Sequence, residues 1–284
     1  MATTIASPGI VTAANQALVL ASPAVNVIKQ FAYDMSPDFD VNGTVKVPVV
    51  SAGNISALNL AAADFEDDSG TLTYVPVTLD TCVKTTMAYT GKDRIEAANS
   101  PFVDKFAEAM ANKLNQYVSQ TVGAKFNTTD IAATYEIGNI TKNNIAKLRN
   151  QCPGRIADTV LGLAPAEYAD TLALFDSSVY GDQDPVKDGI VTSLYGFKAI
   201  VELRDLPSGV KGALINKDAI AFASRAIPVA DESVYTEYGV VEGETGISLT
   251  AMRHGSAKTG KAYLNMGVMF GCKVIAPANI KLLV

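Results

Sequence analysis

Two β-branched segments, TVKVPVV at Thr44–Val50 and TLTYVPVTL at Thr71–Leu79, constrain the fold more than any other feature of the chain. Both alternate as strands do, and each carries a proline, Pro48 and Pro76. Proline cannot donate to a β ladder, so neither arm belongs in the centre of a sheet. The connecting stretch SAGNISALNLAAADFEDDSG is small and polar and ends in the acidic turn Glu66, Asp67, Asp68, Ser69, Gly70. A long protruding hairpin is expected. A two-stranded ribbon is at best marginally stable alone in water, so support from outside it is expected as well.

Further along, Ser100 and Pro101 offer a cap and a proline at the first helical position, and Asp104 puts a negative charge in the first turn. Phe102, Phe106, Met110, Leu114, Tyr117, Val118 and Thr121 fall on one side. Lys105, Glu108, Asn112, Asn115 and Ser119 fall on the other. The spacing predicts a helix over 100–122, about 30 Å long, with Gly123 as its stop. Thr141–Asn150 predicts a short helix, Thr159–Ala164 an apolar strand, and Pro165 the start of a second helix through Leu172. Gly196–Leu203 and Lys211–Ile215 read as strands, and Asn216 or Asp218 as the cap of a helix running to Arg225. Helices alternating with buried strands over 140–230 suggest a compact α/β unit.

The last fifty residues read as strands at Tyr238–Val241, Ile247–His254, Lys261–Phe270 and Ile280–Val284. Within them, HGSAKTGKAY (His254–Tyr263) has the G-x-x-x-x-G-K spacing of a phosphate-binding loop. Two features argue against it. Ala262 stands where a Ser or Thr hydroxyl would hold Mg²⁺, and the residues after it read as strand, whereas the motif must open a helix. Gly255–Gly260 is therefore expected to be a hairpin turn with solvated lysines.

Composition narrows the function classes. The 284 residues are 48% hydrophobic, enough for a sizeable core, and the formal net charge is -6, which disfavours a sequence-reading nucleic-acid binder. Three dispersed cysteines show neither a zinc pattern nor a disulfide framework and suggest a reducing compartment. His254 is the single histidine, which removes most metal sites and most catalytic triads. Gly9–Ile28 is uncharged but has no preceding Lys or Arg, so a secretory leader is not expected, and its Asn, Gln and Pro make a poor membrane span. A cytoplasmic chain without cofactor or metal is expected.

The order of these elements resembles the major capsid protein of tailed bacteriophages, the α+β fold named after the Hong Kong 97 phage. The resemblance implies an N-terminal arm at 1–43 and an extended β-hairpin loop at 44–80. It implies a peripheral domain at 81–140 and 229–265 containing a spine helix at 100–122. A central α/β apical domain would take 141–228 and 266–284. The peripheral sheet would combine Val77–Tyr89 with the strands from Tyr238 onward. The phrase LYGFKAIVELRDLP at Leu194–Pro207 is similar to a stretch of such coat proteins in which a Gly-aromatic turn enters an apical strand.

The function implied by the resemblance is structural, not enzymatic: self-assembly as hexamers and pentamers into an icosahedral virion shell around double-stranded DNA, assembled in the host cytoplasm. DNA would be held without sequence-specific contacts, and acidity suits a lining past which DNA must slide. A separate scaffolding protein and a portal are implied partners, decoration proteins are compatible, and a membrane is not involved. In this family the extended loop lies across a neighbouring subunit. Residues proposed at subunit contacts are Pro48, Phe65, Glu66, Asp67, Asp68 and Pro76, with Lys92 and Arg94 meeting an acidic neighbour. Some members cross-link a loop lysine to a neighbour's asparagine; between Val47 and Val83 there is no lysine, so no isopeptide bond is expected. Three alternatives remain: an encapsulin-type nanocompartment shell, a P-loop enzyme and a tail-tube protein. Before Val45 the helical patterning is weak, which speaks against the cargo-docking helix of an encapsulin.

Overall fold

The computed structural model describes residue 14 and residues 22–38, 43–51, 70–96, 102–174, 186–187, 190–192, 194–217, 219–242 and 247–284. In chain order the first strands are β1 (Ala32–Asp34), β2 (Thr44–Ser51), β3 (Thr71–Thr78), β4 (Thr81–Tyr89), β5 (Thr134–Tyr135), β6 (Thr159–Leu163) and β7 (Val186–Lys187). Then come β8 (Ile190–Thr192), β9 (Ala199–Glu202), β10 (Gly212–Asn216), β11 (Ile220–Arg225), β12 (Glu237–Glu242), β13 (Ser248–Ser256), β14 (Lys261–Val274) and β15 (Ile280–Leu283). Helices occupy Ser22–Phe31, Gly91–Glu96, Phe102–Gly123, Lys142–Leu148 and Pro165–Ala173.

The described strands form three sheets. A six-stranded sheet runs β1-β11-β14-β13-β12, with β4 also paired to β14. The 14-residue β14 holds it together: 261–268 pair with β13, 269–274 with β11, and 262–270 with β4. On one face of β14, Leu264, Met266, Val268 and Phe270 are buried with Ala107, Met110, Leu114 and Val118 of the long helix. This is the period of two in a strand meeting the period of 3.6 in a helix. The second sheet runs β5-β15-β10-β6-β9-β8-β7, and its core joins Leu161, Leu163, Ile200 and Leu214 to Ile145, Leu148 and Tyr168 of its helices. The third sheet is the two-stranded ribbon β2-β3.

Several expectations hold. The long helix spans Phe102–Gly123; Ser100 and Pro101, its expected cap, lie outside the described residues. Gly123 is its last residue, and a Cβ there would stand 2.6 Å from the Arg204 carbonyl oxygen. Thr141 caps the helix Lys142–Leu148, its Oγ1 accepting from the Asn144 amide at 3.2 Å. Strand β6 and the helix opened by Pro165 lie where the pattern placed them.

Other expectations are corrected. The helix predicted from Asn216 or Asp218 to Arg225 is strand β11, buried from Ile220 to Ser224. Its two faces are covered by different partners, Phe222 toward the long helix and Ala221 and Ala223 toward the ribbon, and a run that is apolar throughout carries no period to separate strand from helix. The N-terminal region, read as weakly helical, holds a ten-residue helix, Ser22–Phe31. Asn115, placed on the solvent side, is only 3% exposed, and Tyr117, placed on the apolar side, is 43% exposed with its ring edge-on to Phe270. The strand expected from Gly196 begins at Ala199, after a turn in which Tyr195 and Gly196 take φ 52° and 85°. The six-stranded sheet also takes in β1 and β11, and β14 runs unbroken past 265.

Candidate functional site

The ribbon is the feature that departs most from a self-contained fold. All eight residues of each strand pair, from Thr44 opposite Thr78 to Ser51 opposite Thr71, and neither strand pairs with a third among the described residues. Alternation then gives it two unlike faces. The inner face, with Val45, Val47, Val49, Val75, Val77 and Leu79, packs on Met35, Ala221, Ala223 and Ile275 of the same chain. Val77 is fully buried and Val47 nearly so. Each such side chain contributes about 1.5–3 kcal/mol when fully buried. The support expected from outside the ribbon comes, on this face, from its own chain and not from a neighbouring subunit, because small residues on the six-stranded sheet make room for the valines. Gly271 is one: a Cβ there would collide with the Thr78 carbonyl oxygen. The Lys273 ammonium donates to the Pro76 carbonyl at 2.9 Å, and the Leu79 amide donates to Gly43 at 3.0 Å, closing the root.

The outer face has no such cover. Val50 is 75% exposed, Tyr74 59% and Leu72 55%. Val50 stands directly opposite Leu72 and Pro48 opposite Tyr74, so these four apolar side chains form one patch, with Pro76 exposed at its end. Contiguous apolar surface of this kind marks an interaction site more often than isolated exposed residues do. Pro48 and Pro76 sit in this ribbon, where every strand is an edge and the missing N–H costs little.

Beside β2 lies an open groove of about 610 Å³, floored by Tyr33, Met35, Val47 and Ile275. Lys46 and Lys217 line it, and among the described residues no Asp or Glu does.

The other predicted contact residues separate. Phe65, Glu66, Asp67 and Asp68 lie outside the described residues. Lys92 is exposed in the short helix Gly91–Glu96; Arg94 shares that helix. Thr90 and Asp93 cap it reciprocally: the Thr90 amide donates to the Asp93 carboxylate at 2.7 Å and the Asp93 amide to Thr90 Oγ1 at 3.3 Å. The backbone and hydroxyl hydrogen bonds from Thr90 hold the Asp93 carboxyl below the usual carboxylate value. Neither cation adjoins the ribbon patch as part of its paired strands.

The phosphate-loop spacing is a hairpin turn. Ser256 pairs with Lys261, Gly260 has φ 64°, and the chain beyond it is β14, not a helix. His254 has a structural place: its ring stacks on Tyr263 at 5.1 Å and meets Tyr235 edge-on at 6.1 Å. Thr86 donates to Asn265 Oδ1 at 2.7 Å, which leaves the amide nitrogen facing His254 Nδ1 at 3.1 Å. Among the described residues, no three His, Cys, Asp or Glu side chains gather as a metal site, and no helix is long and apolar enough to cross a membrane.

This α+β body, with a long helix packed on one sheet, a second mixed sheet and a projecting ribbon, is similar in fold to solved capsid structures. Among solved structures, 159 chains match it. The cyanophage P-SCSP1u capsid matches with a TM-score of 0.57 at 13% identity, over 89% of this chain and 85% of the other. The capsid of an empty GTA particle gives 0.57 at 12%, over 91% and 89%. A virus-like particle from Pyrococcus furiosus gives 0.54 at 11%, over 95% and 97%. No family model and no curated protein matches the sequence. At these identities the structural overlap establishes a shared fold.

Proposed function

We propose that this chain is the major capsid protein of a tailed phage, a structural subunit that assembles in many copies into hexamers and pentamers of a closed icosahedral shell around double-stranded DNA. The observation that carries this reading is a fold likeness to viral shell proteins over nearly the whole chain, joined to a ribbon whose outer face leaves Val50, Leu72 and Tyr74 in solvent. A monomer gains nothing from such a patch, whereas a shell subunit covers it with the next copy. Closed symmetry repeats one contact many times, and a specific contact buries about 1,600 Å² in total.

On this reading the ribbon is the extended loop, Phe102–Gly123 the spine helix, the six-stranded sheet the peripheral domain and the seven-stranded sheet the apical domain. Strand β11 and residues 266–274 then belong with the peripheral sheet. Pro48 and Pro76 lie at the loop contact, with Lys92 and Arg94 at a second. Scaffolding and portal proteins are its partners, assembly takes place in the host cytoplasm, and no catalysis is involved. The absence of lysine between Val47 and Val83 predicts a single monomer band on denaturing gels of mature particles.

A nanocompartment shell is the second reading, favoured by the virus-like particle match. Against it, the helix Ser22–Phe31 buries Ile28 and Phe31 in the chain's own core, with Phe31 5.8 Å from Phe126; those residues are not free to hold cargo. Electron microscopy of the purified chain tests the proposal: closed hollow shells are expected, and solitary subunits at every concentration would refute it. Nuclease-protected DNA in native particles distinguishes the phage reading from the compartment.

A further inference from the structure

We propose that Pro48 and Pro76 close the two edges of the ribbon to strand addition, so that copies of this chain do not join edge to edge into open fibres and the ribbon is left to make contact through its face. Edge closure is a property of the single subunit, so it goes beyond the shell reading above and does not depend on what a shell would hold.

The register fixes which way each backbone group of the ribbon points. The Leu79 amide donates to the Gly43 carbonyl, and these two residues stand one step before Thr44 and Thr78 in the same pairing. In an antiparallel pair, hydrogen-bonded positions alternate with non-bonded ones. Val45 with Val77, Val47 with Val75, Val49 with Thr73 and Ser51 with Thr71 therefore bond inward. Thr44, Lys46, Pro48 and Val50 on β2, and Leu72, Tyr74, Pro76 and Thr78 on β3, turn their backbone groups outward to the two edges. Both prolines fall in the outward set, as an unbroken ladder requires. The Pro76 carbonyl agrees with this phase, since it accepts from Lys273 Nζ at 2.9 Å.

Without the prolines each edge would be a template. Each strand has eight residues, longer than the usual strand of about 5–6. The pairing runs without a bulge, and the outer face is apolar at Val50, Leu72 and Tyr74. A long, flat, apolar edge invites another chain. Lys46 is the only charged residue in β2 and β3 has none, so charge does little to repel a second ribbon. Beside β2 the approach is open, because the groove of about 610 Å³ is lined by residues 45–50. An added strand pairs with the outward backbone groups of every second residue along the edge it joins. Pro48 and Pro76 each remove one donor of the four on their edge, leaving two in succession on one side and one on the other. At Pro76 the carbonyl is taken as well, by Lys273. Joining that does not close on itself grows into filaments, which compete with any closed assembly.

The test is Pro48→Thr with Pro76→Thr in the full-length chain, which restores both outward amides. Fibres by electron microscopy and a rise of about fivefold or more in thioflavin T fluorescence are expected at a concentration where the unsubstituted chain shows neither. Shells or free subunits with an unchanged signal would overturn the proposal. Should the double variant lose cooperative unfolding in urea, hydrogen exchange of the unsubstituted, unassembled chain decides instead. The amides of Lys46, Val50, Leu72 and Tyr74 are expected to exchange at least about tenfold faster than those of Val47, Val49, Val75 and Val77, and equal protection of the two sets would overturn the assignment of the edges. If the unsubstituted chain forms no closed shell, the shell reading falls, and the fibre and exchange results still decide the role of the prolines.

Discussion

Single residues decide how closely the parts of this molecule approach. Gly271 is required because the Thr78 carbonyl oxygen fills the space a Cβ would take, so Gly271→Ala must lift the root of the ribbon from the sheet. It should cost about 1–3 kcal/mol, read as a lower urea midpoint with unchanged slope. The three thiols differ in the same local way. Cys82 is exposed, burial pushes Cys152 up, and burial pushes Cys272 up to about 12. Only the thiolate is nucleophilic, so at pH 8 Ellman's reagent should consume the exposed thiol of each unassembled chain quickly and the two half-buried ones slowly. Equal rates for all three would contradict this placement. None of this was legible from residue identity: Gly271 sits in an ordinary strand pattern, and Asn115 reads as a surface residue until the fold covers it.

At the scale of elements, the sequence carried most where one period dominated. Seven positions at helical spacing placed Phe102–Gly123 almost to the residue, and the glycines flanking Ala257–Thr259 marked a hairpin turn despite their resemblance to a phosphate loop. It failed where an element is buried on both sides. In β11, Ala221 and Ala223 lie under the ribbon while Phe222 lies under the long helix, so no polar face reports a period. The shelter of the ribbon was hidden for a related reason, since the residues that make room for it lie some 140 to 200 positions further along the chain. Substitutions on the two faces of the ribbon should have opposite effects. Val77→Ala should destabilise the subunit by about 1–3 kcal/mol in chemical unfolding. Tyr74→Ser with Leu72→Ser should leave the unfolding midpoint of the unassembled subunit within error and weaken assembly, measured by light scattering. Loss of subunit stability with intact assembly would reverse the assignment of the faces.

Across the whole molecule, the long helix packs on its sheet within one chain, as the seven strands pack on their helices, although Asp104, Asn115 and Ser119 of that helix keep buried polar atoms without a hydrogen-bond partner among the described residues. The ribbon is satisfied on one side only. Element order made the fold class legible from sequence alone. The partner of the outer face could not be read there, because no pattern within one chain records what a second copy covers. The most direct measurement is a cryo-electron microscopy reconstruction of particles assembled from the purified chain. Closed shells are predicted in which Val50, Leu72 and Tyr74 lie against an adjacent copy. Shells that leave those residues in solvent, or a chain that stays a solitary subunit at every concentration tried, would contradict the role given to the ribbon.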